Sequence, residues 1–338
     1  MNETKNEKIK VGIVGGAGYT GGELVRLLLN HDAAEIAFVQ SRSQAGKPVS
    51  SVHTDLAGVT SLAFVDQGDL TAPDLKAIFL CLPHGETKIV LEKNAIGSHV
   101  RVIDLSNDFR LEKDSEVNVG GSKRKFVYGL PELRREAIQK ATAIANPGCF
   151  ATAIQLALLP LAKLGKLGDV AVTGITGSTG AGQKPGPTTH FSFRANNIQA
   201  YKTLSHQHLA EIEESLHSLQ SGKPFSVSFV PWRGDFTRGI FVSAILSSDL
   251  TKTQAIQAFS DFYRGHPFVS VTDDAIDLKS VVNTNRARIE ICAENGKLAI
   301  QVAIDNLLKG ASGQAVQNFN LMFGLPEEQG LKLKGTAF

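Results

Sequence analysis

The chain has 338 residues, enough for two domains that each bury a core. Apolar residues make up 42% and charged residues 20%, and a net charge of +2 without a dense basic block is too small to suggest a nucleic-acid or membrane partner. No apolar run reaches membrane-span length, the N-terminus lacks a signal core, and three scattered cysteines fit a reducing compartment, so a cytoplasmic protein is expected.

Lys10–Val14 is a short apolar strand that runs into Gly15-Gly16-Ala17-Gly18-Tyr19-Thr20-Gly21-Gly22 and then a helix apolar at Leu24, Leu27 and Leu28. Strand, glycine turn and helix open a dinucleotide-binding βαβ unit, in which glycines let the backbone approach a pyrophosphate at the helix N-terminus. The spacing Gly15-x-x-Gly18-x-x-Gly21 differs from G-x-G-x-x-G, and its place at the first strand–helix junction carries the assignment. The second strand, Glu35–Val39, ends in Gln40-Ser41-Arg42-Ser43, where an NAD site usually has an acid for the ribose 2′-hydroxyl. Two hydroxyls and a guanidinium suit a 2′-phosphate, which points to NADP(H). A polar loop with an incidental arginine is the alternative.

Ala77–Leu82 has the continuous apolar character of a parallel strand buried on both faces, and it ends in Pro83-His84-Gly85. The next strand, Val100–Asp104, leads into Leu105-Ser106-Asn107-Asp108-Phe109-Arg110. Arg110 is a candidate clamp for phosphate or carboxylate, with a surface pair to Asp108 as the alternative. Cys81 and Cys292 lie in apolar strand-like runs and are read as core.

Thr142–Ala145 is a short buried strand, Asn146-Pro147-Gly148 forces a turn, and Phe150–Leu159 is a helix apolar on most faces. Cys149 thus sits at the mouth of a helix, where unpaired N–H groups and the dipole favour an anion. Such a setting lowers a thiol pKa from about 8.5 towards roughly 5–7. An isolated cysteine is more often a buried structural residue; this setting favours a nucleophile.

Beyond Pro160, longer alternating strands predict an α+β second domain. The loop Ile175–Pro185, which holds Ser178, Gly180 and Gly182, reads as a second anion cradle. Tyr201–Glu211 sets His206 and His208 at a helix start. His-x-His lacks the i, i+4 spacing of a helical metal site, so no metal is expected and general acid/base chemistry is the better reading. Arg233-Gly234-Asp235 reads as a chance tripeptide. Asn295-Gly296, between Ala287–Glu294 and Lys297–Asp305, predicts a hairpin. Gly310–Ala315 opens a final helix, apolar at Ala315, Phe319, Met322 and Phe323, which predicts packing back on the first domain. The fold class expected is α/β. Residues 1–147 plus 309–338 should form a Rossmann-type NADP-binding domain, and 148–308 an α+β catalytic and oligomerisation domain.

The segments GGAGYTGGEL, SRSQAGK, CLPHG, DLSNDFRL, YGLPEL, ANPGCFAT, GSTGAG, HQHLAEI, TRGIF and DNLLKGASGQAVQNFNLMFG together resemble the N-acetyl-γ-glutamyl-phosphate reductases of arginine biosynthesis. The resemblance covers nearly the whole chain, and the Cys149 segment and the last segment are its most specific parts. It implies reductive dephosphorylation of N-acetyl-γ-glutamyl phosphate by NADPH, giving the semialdehyde and phosphate. It makes Cys149 the nucleophile and places the acid/base catalyst in the pair His206/His208. It assigns Arg110, Ser106, Glu211 and the Ser178–Gly182 loop, including Gly180, to the substrate. For the cofactor it implies Gly15, Gly18, Tyr19, Thr20, Gly21, Ser41, Arg42, Ser43 and His84, with Gly313 and Asn318 at the nicotinamide end. Family members are usually homodimers or homotetramers. The chain departs from the family at Gln183, commonly Arg, at Ala210, commonly Pro, and in a short Asp108–Tyr128 connection. The N-acyl group, acetyl or succinyl, therefore stays open. Aspartate-semialdehyde dehydrogenase is the enzyme alternative, and a non-catalytic NADP-binding sensor is the alternative from another class.

Overall fold

A computed structural model describes residues 7–120 and 122–337. They form two compact units. One runs to Pro147 and takes back Ser312–Leu331; the other holds Gly148–Ala311 and the residues from Lys332.

In the first unit the elements in chain order are β1 (Ile9–Val14), α1 (Tyr19–Leu29), β2 (Ala34–Gln40), β3 (Phe64–Val65), β4 (Leu75–Leu80), α2 (Thr87–Lys93) and β5 (Arg101–Asp104). The hairpin β6 (Glu116–Val119) and β7 (Ser122–Lys125), then β8 (Val127–Tyr128), α3 (Pro131–Lys140) and β9 (Ala143–Ala145), complete it up to the crossing. Its sheet has the order β3-β2-β1-β4-β5-β9-β8, and every pairing is parallel. The order reverses at β1 and β4, and open α/β sheets bind ligands at the carboxyl edge of such a switch point. β4 stops two residues before the expected end. Cys81 N still donates to Val14 O at 2.8 Å, but Pro83 has no N–H to continue the ladder.

The helix Ser312–Met322 is buried along its whole length and packs against α1 and α3. Phe319 meets Phe79 at 5.9 Å between ring centroids, and His31 Nε2 lies 2.9 Å from Asn320 Oδ1. The chain end departs from expectation. Residues from Lys332 belong with the second unit, where Thr336 N donates to Val282 O and Ala337 N to Lys279 O.

The second unit comprises α4 (Cys149–Lys163), β10 (Asp169–Thr176), α5 (Phe191–Arg194), β11 (Gln199–Ala200), α6 (His208–His217) and β12 (Ser226–Arg233). It continues with β13 (Ile240–Ser247), α7 (Lys252–Phe262), β14 (Val269–Thr272), β15 (Ala287–Glu294) and β16 (Lys297–Ile304). The sheet order is β11-β12-β10-β13-β16-β15-β14, a mixed sheet in which β10/β12 and β14/β15 are the parallel pairs. Strands such as β10 alternate buried and exposed residues, as a sheet with one covered face requires.

α4 runs four residues past its expected end, straight through Pro160. Proline removes the donor that Leu156 O would use, and Tyr263 Oη replaces it at 2.7 Å. Asn295 and Gly296 both have positive φ, 49° and 71°, the geometry of a type I′ hairpin turn. Cys292 is not a core residue. It shares the half-buried face of β15 with Arg288 and Glu290, and its Sγ lies 3.4 Å from Glu290 Oε1. Among the described residues no helix is long and apolar enough to cross a membrane.

Candidate active site

In the first unit the glycine turn is built as a close-approach surface. Gly15 has φ 81°, and a Cβ there would lie 2.4 Å from Cys81 O, so no other residue fits. Gly15 N and Gly16 N both donate to Gln40 O. A Cβ on Gly21 would lie 2.6 Å from Gly16 Cα, so this glycine lets α1 pack onto the turn. Gly18 caps α1 without a side-chain hydrogen bond, and the first helical turn holds no acid. A Cβ on Gly18 would meet nothing closer than Gly15 O at 3.8 Å. That leaves the helix mouth open to an anion, as a pyrophosphate requires. Tyr19 is exposed, and Thr20 O accepts from Ser312 Oγ at 2.9 Å, which sets Gly313 and its helix start beside the turn. Burial pushes the Cys81 thiol up to about 12, so it stays a protonated, unreactive group.

At the end of β2, Arg42 and Ser43 are exposed, while Ser41 is buried with its Oγ 3.4 Å from that of Ser43. Asn318 is fully buried in the C-terminal helix. Its Nδ2 donates to Gly129 O at 2.8 Å and Asn146 Oδ1 at 3.1 Å, while its Oδ1 accepts nothing among the described residues. An orphan acceptor fits the amide hydrogens of a nicotinamide carboxamide. The residues present therefore fit a phosphorylated dinucleotide at both ends.

At the carboxyl edge of β5, Ser106 is buried, with its Oγ donating to Asp104 Oδ2 at 2.7 Å and accepting from Asp108 N at 3.1 Å, so it orders the loop. Asp104 is itself fully buried, and desolvation pushes its carboxyl up to about 6 against the hydrogen bonds from Ser106 and Thr87. Arg110 is no surface partner of Asp108. It is buried, with Nε donating to Asn146 O at 2.9 Å and Nη2 to Leu105 O at 3.1 Å. Asp108 instead accepts from Gly85 N and Lys88 N, and exposed His84 accepts from Asn107 N through Nδ1 at 3.1 Å.

In the second unit Cys149 is the first residue of α4, with Gly148 as its extended N-cap. Gly148 N donates to Glu211 Oε2 at 3.2 Å, and the other oxygen of Glu211 lies 3.8 Å from His208 Nε2. One buried carboxylate thus links the backbone at the cysteine to a histidine three residues away on α6. His206 is buried among Phe150, Tyr201 and Phe229, with ring centroids at 5.8, 5.7 and 5.5 Å. Its Nδ1 accepts from His208 N at 3.2 Å, which places the proton of the neutral ring on Nε2. Burial, and secondarily Lys202, pushes His206 down to about 4, so it is neutral at pH 7. Lys202 and Leu204 have positive φ, 46° and 58°, in the tight segment between Tyr201 and His206.

In the glycine-rich loop Ser178 N donates to Phe236 O, Thr179 N to Thr237 O, Gly180 N to Gly177 O and Gly182 N to Thr179 O, so these four amides are taken by the protein. Ser178 is half-buried and Gly180 exposed. The stretch from Asp305 matters more than composition suggests. Buried Asp305 takes a bidentate contact from Arg238 and accepts from Asn283 N, Leu307 N and Leu308 N, while Asn306 Oδ1 accepts from Gly239 N. Gly310 N closes the turn onto Asp305 O at 2.9 Å. A Cβ on Gly310 would lie 2.6 Å from Asn306 O and 2.8 Å from Cys149 Cβ. This backbone is the seat of the cysteine. Gly310→Ala should therefore cost about 1–3 kcal/mol of stability by overpacking, and the displaced thiol should lower kcat on the order of 10²-fold. Thermal melts and initial rates on the purified variant check both; a normal kcat would show that Gly310 does not seat Cys149.

Two family models cover most of the chain: "Semialdehyde dehydrogenase, NAD binding domain" over residues 10–141 and "Semialdehyde dehydrogenase, dimerisation domain" over 149–306. The N-acetyl-gamma-glutamyl-phosphate reductase of Bacteroides thetaiotaomicron is 50% identical over 98% of this chain and all of its own length. That of Flavobacterium johnsoniae is 49% identical over the same shares. Among solved structures, aspartate semialdehyde dehydrogenase II of Vibrio cholerae superposes with a TM-score of 0.70 at 16% identity, covering 94% of this chain and 99% of the other. At that identity it shows a shared fold alone. The reductases match end to end at half their residues, and the chain belongs to the N-acetyl-gamma-glutamyl-phosphate reductase family.

Proposed function

We propose that the chain reduces N-acetyl-γ-glutamyl phosphate to N-acetylglutamate semialdehyde with release of phosphate, the step its relatives' name describes, through a thioester on Cys149. The observation that carries this is the buried group of His206, His208 and Glu211 beside a cysteine at an uncapped helix N-terminus. The helix mouth stabilises the thiolate, which attacks the acyl phosphate carbon. A C–S bond forms, the C–O bond to phosphate breaks, and phosphate leaves with the bonding pair. A thioester carbonyl is more electrophilic than an oxygen ester, which is why sulfur serves here and a serine oxygen does not. Neutral His206 offers Nε2–H as a hydrogen-bond donor to the developing oxyanion. His208, with the Glu211 carboxylate to pair its imidazolium, takes the Cys149 proton as the thiolate forms. When the reduced carbon's oxyanion closes to the aldehyde, the C–S bond breaks with its pair on sulfur, and His208 returns that proton to Cys149.

A bound NADPH supplies the hydride. Its 2′-phosphate is assigned to Arg42 with Ser41 and Ser43, its pyrophosphate to the Gly15–Gly21 turn and its carboxamide to Asn318. Arg42→Ala should weaken NADPH about 10–100-fold, the worth of one charge-assisted contact, and leave NADH nearly unaffected. Fluorescence titration with both nucleotides checks this, and an equal loss for each makes Arg42 structural. Aspartate-semialdehyde dehydrogenase activity is the second reading, supported by fold similarity alone. A panel of N-acetyl-, N-succinyl- and aspartyl phosphates, read by NADPH oxidation, separates the substrates. We also assign a homodimer or pair of dimers built through residues 149–306, the segment matched by the dimerisation-domain model; sedimentation at assay concentration tests it.

A further inference from the structure

Nothing in the sequence marks Arg194, and Arg233 reads there as part of a chance tripeptide. Within the second unit the fold brings them together. β11 pairs antiparallel with the end of β12, Gln199 opposite Arg233 and Ala200 opposite Trp232, so Tyr201 follows alongside. The Arg233 guanidinium lies over the Tyr201 ring, 4.5 Å from its centroid, and the same ring meets His206 edge-on at 5.7 Å. Arg194, the last residue of α5, donates from Nη2 to Gly234 O at 2.7 Å, beside Arg233 in the chain. Burial pushes the Tyr201 phenol upward, and the Cys149 charge adds to it against Arg233 and Arg194. Two guanidiniums, an aromatic ring, the buried histidine and the nucleophile therefore share one locality.

That concentration of positive charge is incompletely answered by the protein. Arg233 Nη1 donates to Thr188 Oγ1 at 2.7 Å, a neutral partner. Among the described residues the acid that acts on Arg194 is Asp235, exposed, with one oxygen already accepting from Asn196 N at 2.7 Å. Burial first, and then the neighbouring Arg233, disfavour the Arg194 cation, which exposed Asp235 opposes, and an anion bridging the two guanidiniums would relieve it. A planar two-oxygen anion matches the fork geometry of arginine.

We propose that Arg194 and Arg233 form the subsite for the free α-carboxylate of the acyl-glutamyl phosphate, and so select glutamyl over shorter substrates. This rests on the reductase reading given above. From the reacting carbonyl carbon to the α-carboxylate carbon is four carbon–carbon bonds, about 5 Å when extended. A guanidinium stacked one ring away from His206 suits that span.

Run in reverse, the reaction tests this directly, because N-acetylglutamate semialdehyde and inorganic phosphate are then supplied separately. Arg194→Gln and Arg233→Gln should each raise KM for the semialdehyde about 10–100-fold, with a much smaller fall in kcat and with KM for phosphate near wild type. Arg233→Lys, which keeps the charge and loses the fork, should recover part of the loss. The α-carboxamide analogue of the semialdehyde, given to the unaltered enzyme, should show the same rise without any substitution that could affect folding. A rise in KM for phosphate instead, or full acceptance of the carboxamide by the unaltered enzyme, overturns the subsite. If the unaltered enzyme fails to oxidise the semialdehyde at all, the reductase reading falls and the subsite with it. An active enzyme whose glutamine variants keep a normal semialdehyde KM removes the subsite and leaves that reading intact.

Discussion

Cys149→Ser should lose turnover on the order of 10⁴-fold or more, as removal of a nucleophile does elsewhere, while NADPH still binds with wild-type affinity. The split follows from the architecture: the residues assigned to the nucleotide lie in the first unit, and Cys149 opens a helix of the second. Serine lacks an accessible anion near neutral pH, and its ester would be a poorer hydride acceptor. NADPH oxidation measures the first effect and nucleotide fluorescence the second. The wild-type thiol should alkylate with an apparent pKa well below about 8.5. A serine variant with a near-normal rate, or an alkylation profile centred on the ordinary thiol value, contradicts covalent capture.

The two histidines should separate by pH rather than by size of loss. His206→Asn and His208→Asn are each expected to lower kcat by roughly 10²–10⁴-fold, the range for a lost catalytic donor or acid/base group. His206 stays neutral down to about pH 4, because burial first, and then Lys202, disfavour its charged form. Its loss should therefore reduce kcat by the same factor across the neutral range, leaving the shape of the profile intact. His208, beside Glu211, is the proposed proton carrier, so its loss should flatten the limb of the profile that reports the carrier. Complete kcat–pH profiles decide it. A flattened limb in His206→Asn would reverse the two assignments.

Much of this was readable from local chemistry. The glycine turn, the parallel strands and the Asn295–Gly296 hairpin each depend on short segments whose backbone demands are visible in residue type. The buried final helix was readable because its apolar positions exceed one face. What escaped depends on partners distant in sequence. α4 crosses Pro160 because Tyr263, a hundred residues on, covers the carbonyl left without a donor. The Ser178–Gly182 loop has the composition of an anion cradle, yet residues 236 and 237 take amides that composition leaves open. Ser106 resembles a ligand hydroxyl until Asp104 and Asp108 claim it. Gly310 beside Cys149, and Arg194 beside Arg233, are pairings that no spacing along the chain announces.

The thioester on Cys149 can be isolated by withholding the reductant. Enzyme mixed with N-acetyl-γ-glutamyl phosphate and no NADPH, quenched in acid within the first turnover, should release one equivalent of phosphate per active site. Mass spectrometry of the digested protein should then find the N-acetylglutamyl group on the peptide containing Cys149, and on none from Cys149→Ser. Phosphate release that waits for NADPH, with no adduct on that peptide, would contradict the mechanism.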